Sequence, residues 1–531
     1  MRIPFIGGSD EGRSTPWNAT RSINFFVEQG SQDGKSPTAL IGTPGTVLFA
    51  TFPAGPIRMF HVMVDRCFVV AGIDLYELYT DGTFSSSFGS FSGDADTPIV
   101  AVDNGISAFG VGGNQILILA NGYGYIFNVL TGALGRVTDP NFPADVHQCA
   151  FLDGYFIVTS RTMAFRVSEL YDGTVWPSLA TAAAIAAADN IQKPFGTNQI
   201  LYLVKDSTTE VWQNAGTATT LGSPFTHIPG SLVNFGTNAD RSVARVGDTV
   251  FMLGTTRVQD SAVYFGVVSV SGTAIQKVST PAIDYRISRL SSLSDAISYS
   301  YADEGHVFYV LTFPTDDITF VYDVTTQLWH ERSTFLSGPY TQHRHLSNEY
   351  VFFGGKHLVS HYNEPKIFEM STQYYSDNGD PIISIRTAQP LFDEDENENV
   401  KIFKLVVDAE TGVGWAGEET GSVADTNVFA DVLPEIWADD TGNVWQDTSS
   451  VVTAASLEHN RTPTAWLSWS NDGGRTWSSE YSSSLGRQGE YKTRLIWRRL
   501  GSPRNRIFRL KISDSVKKVL LSAMVNNGAK G

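Results

Sequence analysis

From about residue 51 to 380 the chain repeats one pattern: a short apolar run, a turn signal, then a second apolar run. The runs are Cys67–Ala71, Gln115–Leu119, Tyr155–Val158, Leu201–Val204, Thr249–Leu253, Val307–Leu311 and Tyr350–Phe353. Each holds four or five residues, rich in β-branched and aromatic types, which is strand length rather than helix length. They recur every roughly 40–55 residues, the spacing of a four-stranded propeller blade. Seven runs allow six or seven blades, with the last run either closing the ring or leading out of it.

The repeat has a kelch-type core. Tyr322-Asp323, Thr325 and Trp329 are followed by Gly354-Gly355, and Asn128, Leu130 and Thr131 form a weaker copy with Gly112-Gly113 before it. In such a hairpin the Asp or Asn starts the turn, and the aromatic wedges between blades. The flanks read differently. Residues 1 to about 50 are punctuated by Gly and Pro and read as an irregular arm. Residues 381–531 change charge character and read as a further β region. The predicted architecture is therefore all-β: a propeller over 51–380, with a β-rich platform built from 1–50 and 381–531. One helix is expected, over Ser178–Asp189, where alanines run between Pro177 and Pro194.

Composition sharpens this picture. The 531 residues carry 48 glycines and 12% aromatics, which suits short strands and tight turns, and a formal charge of −17. That charge argues against a protein that grips duplex DNA, although not against DNA passing nearby. The residues are unevenly placed. Residues 393–447 hold 15 acids and 2 bases, whereas 487–518 hold 11 bases and 2 acids. In Arg506–Ile512 the apolar Phe508, Leu510 and Ile512 share one face, with Arg509 and Lys511 on the other. The basic run has no recognition helix, so reading of base sequence is not expected. Arg487, Lys492, Arg494, Arg498, Arg499 and Arg504 are the candidate residues for contact with a protein partner. No apolar stretch nears the length of a membrane helix, about 18 residues. The opening residues lack the apolar core of a signal peptide, so synthesis in a reducing cytoplasm is expected. The two cysteines, Cys67 and Cys149, sit in apolar runs and read as buried hydrophobes rather than a disulfide.

The chemistry-bearing motifs are few. Ser470–Trp477 fits an Asp-box, a hairpin whose Asp caps the turn, and one copy without an evident carboxylate pair reads as structural. His343, His345, His357 and His361 could supply metal ligands, but Gly354-Gly355 separates the pairs and no acid stands at a metalloprotease spacing. Phe109–Gly113 is glycine-rich without a following helix, so it is no phosphate loop. Asn18 and Asn460 sit in glycosylation patterns that matter only on a secretory route. No catalytic residue, cofactor or metal is expected.

Several stretches together resemble the tail-hub, or nozzle, proteins that stabilise packaged DNA in short-tailed bacteriophages. These are Ile3–Ser9, Arg13-Ser14, Arg21–Glu28 and Thr43–Gly45 near the start, then Tyr171–Trp176, Thr209–Trp212, Pro224-Phe225, Ile228–Gly230, Ser279–Ile283, Gly305–Pro314 and Trp329–Arg332. Leu467–Trp477 and Gly489–Gly501 continue the resemblance near the end. The acidic stretch from about 393 to 450 does not map onto that family. The resemblance implies a structural virion subunit, assembled in the host bacterial cytoplasm into a ring, a homohexamer. The ring would sit below the portal adaptor (the head-to-tail connector), continue the channel for genomic DNA and retain the genome. It would also carry tail spikes or fibres and meet a plug or needle protein. The competing reading is a carbohydrate-binding or sialidase-like propeller, which should show several Asp-boxes and an arginine cluster. A cellular kelch-like scaffold is a third, without reason to carry the phage-like ends.

Overall fold

The computed structural model describes every residue except 1, 32–35, 106–112, 198, 260, 273, 336–340, 393–398, 414–435, 439–443, 447–461 and 528–531. Among the described residues seven antiparallel four-stranded blades make a ring, five as separate sheets and blades 6 and 7 as parts of larger sheets. Blade 1 starts at Ile57–Met63, blade 2 at Val100–Asp103, blade 3 at Gln148–Leu152 and blade 4 at Ile191–Thr197. Blade 5 starts at Ala244–Val246, blade 6 at Ile297–Asp303 and blade 7 at Ser347–Phe353. Six of the seven apolar runs read from sequence are the second strands of blades 1 to 6. The seventh, Tyr350–Phe353, lies in the first strand of blade 7.

Blade 7 has only three strands of its own: Ser347–Phe353, Lys356–His361 and Lys366–Ser371. Its fourth is Gly45–Thr51, which pairs antiparallel with Lys366–Ser371, Met370 opposite Thr46. The ring is thus closed by a strand from the beginning of the chain. The described residues of 1–50, expected as an irregular arm, hold four strands and most of a fifth, Gly45–Thr51.

A separate apolar cluster fills each gap between neighbouring blades. Phe68 meets Ile116 and Phe127 between blades 1 and 2, and Leu117 meets Phe156 and Val158 between 2 and 3. Ile157 meets Leu201 and Trp212, Val204 meets Val250 and Val268, and Phe251 meets Tyr309 and Trp329. Tyr299 and Phe308 meet Val359 and Phe368, and Leu358 and Ile367 meet Val69 and Leu78 to complete the circle. Each central strand is buried on both faces, so its sequence is continuously apolar instead of alternating. Several tight hairpins are two-residue turns with both central residues at positive φ: Asn121-Gly122, Asp153-Gly154 and Glu304-Gly305. This is the conformation whose twist matches paired strands.

The remaining strands form a sandwich. One sheet runs Phe25–Gln29, Thr38–Gly42, Val519–Asn527, Ile402–Ala409, Leu495–Gly501, with Arg2–Ile3 also paired to Val519–Asn527. The other runs Arg21–Ile23, Ser384–Thr387, Asn505–Ile512, Thr464–Ser470, Tyr481–Ser484. Phe5, Phe25, Leu405, Leu467, Trp497, Phe508 and Leu510 fill the space between them. The second sheet is continuous with blade 6, because Ile23 pairs in parallel with Glu331 on the blade's outer strand, Leu328–Phe335.

The helix expected over Ser178–Asp189 is absent. Thr181–Ala183 instead forms the outer strand of blade 3, paired with Ala164–Phe165–Arg166. Ala180 and Ala184 pack into the core between blades 3 and 4. A twelve-residue alanine-rich stretch has little helical stability of its own, and completing a blade outweighs its propensity. Among the described residues the α-helix is Pro281–Ile287. Thr280 caps it, its Oγ1 accepting from the Ile283 amide at 3.3 Å, and Pro281 occupies the first turn.

Candidate assembly surface

The kelch-like hairpin is built as its residues imply. Asp323 accepts from the Thr325 amide at 2.9 Å and from the Thr326 hydroxyl at 2.7 Å. Trp329 is buried, and its indole donates to the Val278 carbonyl at the end of blade 5, at 3.0 Å. Asn128 makes the same turn in blade 2, accepting from the amides of Leu130 and Thr131 at 3.0 and 3.1 Å. Its paired glycines, Gly112-Gly113, begin in residues outside those described, as does most of Phe109–Gly113.

The strand that follows Trp329 carries the joint between propeller and sandwich. Glu331 is fully buried and receives two guanidinium forks: Arg21 at 2.8 and 2.7 Å, and Arg286 at 2.6 and 2.9 Å. Burial alone would raise its pKa, but the two arginines overcome that and hold the carboxyl far below its usual range. Next to it, burial keeps His330 neutral, lowered to about 3. Arg332 donates to the Pro44 carbonyl at 2.8 Å. On the same side His306 bridges Asp323 at 2.8 Å and Glu28 of the sandwich at 3.0 Å. Its bond to Asp323, opposed by burial and reinforced by Glu28, raises it to about 9. Buried Arg386 donates to the carbonyls of Phe5, Gly7 and Gly8 at 2.6, 2.7 and 2.9 Å. Trp329–Arg332, Gly305–Pro314 and Arg21–Glu28 stand out in the sequence as motifs, but nothing local to them declares this task. A Glu and an Arg inside a strand of otherwise buried character were the available signal.

One end of the propeller axis is crossed by side chains. The 3-10 turn Asp240–Ser242 precedes the inner strand of blade 5. Asp240 accepts from Gln148 at 2.6 Å and meets the His147 ring at 2.7 Å, both on blade 3's side. Burial opposes, but these contacts lower its carboxyl to about 2. Arg241 pairs with Glu349 of blade 7. Blades 3 and 7 are not neighbours of blade 5, so these bonds span the opening.

The Asp-box lies on the sandwich, not on a blade. Asp472 accepts from the Thr476 hydroxyl at 2.5 Å and from the amides of Thr476 and Arg475 at 2.9 and 3.0 Å, which lowers its carboxyl strongly. The box also holds the arm: the Thr15 hydroxyl donates to the Gly473 carbonyl. Trp477 lies under the Arg509 guanidinium at 3.5 Å. The four histidines each have separate partners. His343 meets Asp317 at 2.6 Å, buried His345 meets Ser347 at 2.6 Å, and His357 meets Tyr350 at 2.9 Å. His361 accepts from the Glu364 amide at 3.0 Å. No group of three or more metal-ligating side chains occurs among the described residues. Cys67 and Cys149 are buried and unpaired, and burial raises both thiols to about 12.

The basic run divides in two. Arg506 is buried and donates to Asn471 at 2.9 Å. Arg509 stacks on Trp477, Lys511 pairs with Glu480 at 2.6 Å, Lys517 pairs with Glu410 at 3.0 Å, and Lys518 is buried. Arg487, Lys492, Arg494, Arg498, Arg499 and Arg504 are all exposed. Arg487 bonds Thr462 at 3.0 Å. Arg498 and Arg499 sit on Leu495–Gly501, the last strand of the first sheet. A bulge there, with Arg499 at φ 59°, gives two consecutive outward arginines, Arg498 lying opposite Lys404. Of the acidic stretch only residues 399–413 and two short strands are described. Its Glu410 supplies the contact to Lys517.

Comparison with known proteins decides the family. A model described as "Bacteriophage P22 Gp10, beta-propeller" matches residues 1–375. A second, "Bacteriophage P22 Gp10, beta-sandwich", matches residues 436–527. The chain belongs to the P22 Gp10 family. This is a family of structural phage proteins that stabilise packaged DNA. The first match spans the seven blades together with the sandwich strands that precede them, and the second covers the C-terminal strands of the sandwich. No curated protein matches the chain. Among solved structures, the Pan2 WD40 domain of Neurospora crassa aligns at 9% identity over 62% of this chain and 95% of its own, TM-score 0.39. BamB of Moraxella catarrhalis aligns at 8% identity over 70% and 98%, TM-score 0.33. The extracellular domain of BT4673 from B. thetaiotaomicron aligns at 8% identity over 76% and 45%, TM-score 0.40. No helix among the described residues is long and apolar enough to cross a membrane.

Proposed function

We propose that copies of this chain form a ring, a hexamer, that continues the DNA channel below the portal adaptor and carries the tail spikes or fibres. The subunit acts as structure and not as catalyst. The observation that carries this reading is the set of six exposed basic residues between 487 and 504 on the sandwich of an acidic chain. On a protein with formal charge −17, such a patch fits an acidic protein neighbour, either an adjacent subunit or the adaptor. The channel runs between subunits, because each propeller's own axis is crossed by the Asp240 and Arg241 contacts. DNA passes without being gripped, since tight phosphate contacts would hold the duplex and slow its exit. The genome is retained by a plug or needle protein closing the ring, and the subunits assemble in the host cytoplasm.

Electron microscopy of the assembled particle tests ring number and position. Duplex binding by the isolated protein near 0.15 M salt tests the electrostatics. A ring with an acidic or neutral wall and negligible duplex binding is the expected result. A basic wall, or sub-micromolar binding that weakens steeply with salt, overturns it.

A further inference from the structure

A cavity of about 270 Å³ lies where propeller and sandwich meet. The propeller side contributes Glu304, from the first turn of blade 6, and Thr372, Gln373 and Tyr375, which follow blade 7. Ile382, Ser384 and Val516–Lys518 come from the sandwich side, with Ile41–Thr43 at the end of its first sheet. The space equals roughly nine waters at about 30 Å³ each, so it holds a small solute together with solvent.

Two polar groups on this wall are buried with bonding capacity left over. Ser384 is 0% exposed, and its Oγ has no hydrogen-bond partner. Lys518 is 6% exposed and donates to the Ile382 carbonyl. An ammonium has three donors, and among the described hydrogen bonds Lys518 uses one. A buried hydroxyl and a buried ammonium left short of acceptors are each costly. Tyr375 brings a phenol to the same wall. Lys517 stands beside Lys518, paired with Glu410 at 3.0 Å. Glu304, at the opposite rim, accepts from the Thr372 hydroxyl at 2.9 Å.

We propose that this cavity is a binding site for a small free oxyanion of the sulfate or phosphate class. The anion accepts from Lys518 Nζ and Ser384 Oγ. Glu304, which would repel it, stays at the exposed edge. Because the walls belong to both halves of the molecule, occupancy braces one against the other. Burial lowers the Lys518 ammonium to about 7, and two carboxylates oppose that: Asp377, buried and bonded to Thr46 at 3.3 Å, and Asp514. Asp377 itself is raised by burial to about 6, although Arg332 and Lys518 lower it. Anion binding, which needs the ammonium charged, therefore weakens as pH rises through this range.

The test uses the full chain with selenate, a sulfate analogue whose selenium scatters anomalously, and sulfate titration calorimetry at pH 6 and pH 9. Sulfate keeps its charge over that interval. The expected results are an anomalous peak between Lys518 and Ser384 and binding at least tenfold tighter at pH 6. Ser384→Ala should weaken binding severalfold and Lys518→Met should abolish it. Ser384→Ala removes one unpaired hydroxyl and keeps the proposal testable should Lys518→Met fail to fold. Water alone in the cavity at saturating selenate, or a peak confined to the exposed arginines 494–499, overturns the proposal. So does binding that is unchanged in Ser384→Ala and at pH 9.

Discussion

Arg21 and Glu331 stand 310 positions apart in sequence and meet through two parallel bonds of 2.8 and 2.7 Å. Arg21 begins the sandwich strand next to blade 6, and Glu331 belongs to that blade's outer strand. Arg286, from the capped helix, completes the arrangement from the other side. A carboxylate this buried would be unfavourable alone. Held between two guanidiniums it fixes the sheet that runs from propeller into sandwich.

Replacing Glu331 with Ala leaves two cations facing each other at the joint. Breaking a buried charge pair from one side costs about 3–5 kcal/mol. Urea unfolding should show a loss of that size, with a conservative Glu331→Gln change costing less. The native carboxyl is depressed, so its contribution is present above the unfolded value of about 4.3 and is lost as pH falls through the folded value. The difference in stability between wild type and Glu331→Gln should therefore shrink on acidification below about pH 4.

His306 predicts the opposite pH dependence. Its folded value is raised to about 9 by Asp323 and Glu28. The stability it adds is complete below the unfolded value of about 6.5 and is lost as pH rises through 9. Melting temperatures of wild type and His306→Gln, compared from pH 6 to 10, should converge at the alkaline end. A constant gap over that range would show that His306 contributes through packing alone.

Reversing Arg494, Arg498 and Arg499 to Glu together should abolish or weaken assembly. The monomer should keep its melting temperature to within about 1 °C, because these side chains are exposed and surface changes rarely exceed about 0.5 kcal/mol. Sedimentation velocity across a salt series measures it. Normal assembly with unchanged salt dependence would assign the surface another role.

Gly473→Ala should loosen the N-terminal arm from the Asp-box. Gly473 has φ 76°, and a Cβ there would run into the Pro16 ring. A destabilisation of about 1–3 kcal/mol follows from backbone strain of this kind. Faster proteolytic cleavage between Arg13 and Thr20, ahead of global unfolding, would report it.

The parts of this fold legible in sequence are those whose physics is local. Cys67–Ala71 or Val307–Leu311 declares a doubly buried strand by composition alone, and Asp323 and Asp472 announce their turns by spacing. Gly45–Thr51 did not declare its place, because its partner, Lys366–Ser371, lies more than three hundred positions away. The alanines of 178–189 misled because their local preference yields to an open blade edge. The basic run was visible as charge, but not which half turns inward. Arg506 and Arg509 became structural only where Asn471 and Trp477 come within reach. Alternation around Arg509 and Lys511 correctly marked a two-faced strand without showing that its polar face was already occupied.

The strand that closes blade 7 is made early and used late. On the ribosome, Gly45–Thr51 emerges before any blade exists and must wait unpaired for Lys366–Ser371. At about 5–20 residues per second, the intervening stretch takes on the order of a quarter of a minute to a minute to synthesise. Throughout that interval a β-prone segment has an open edge available to other nascent chains, so the production of this protein is most exposed to mispairing before its ring is shut.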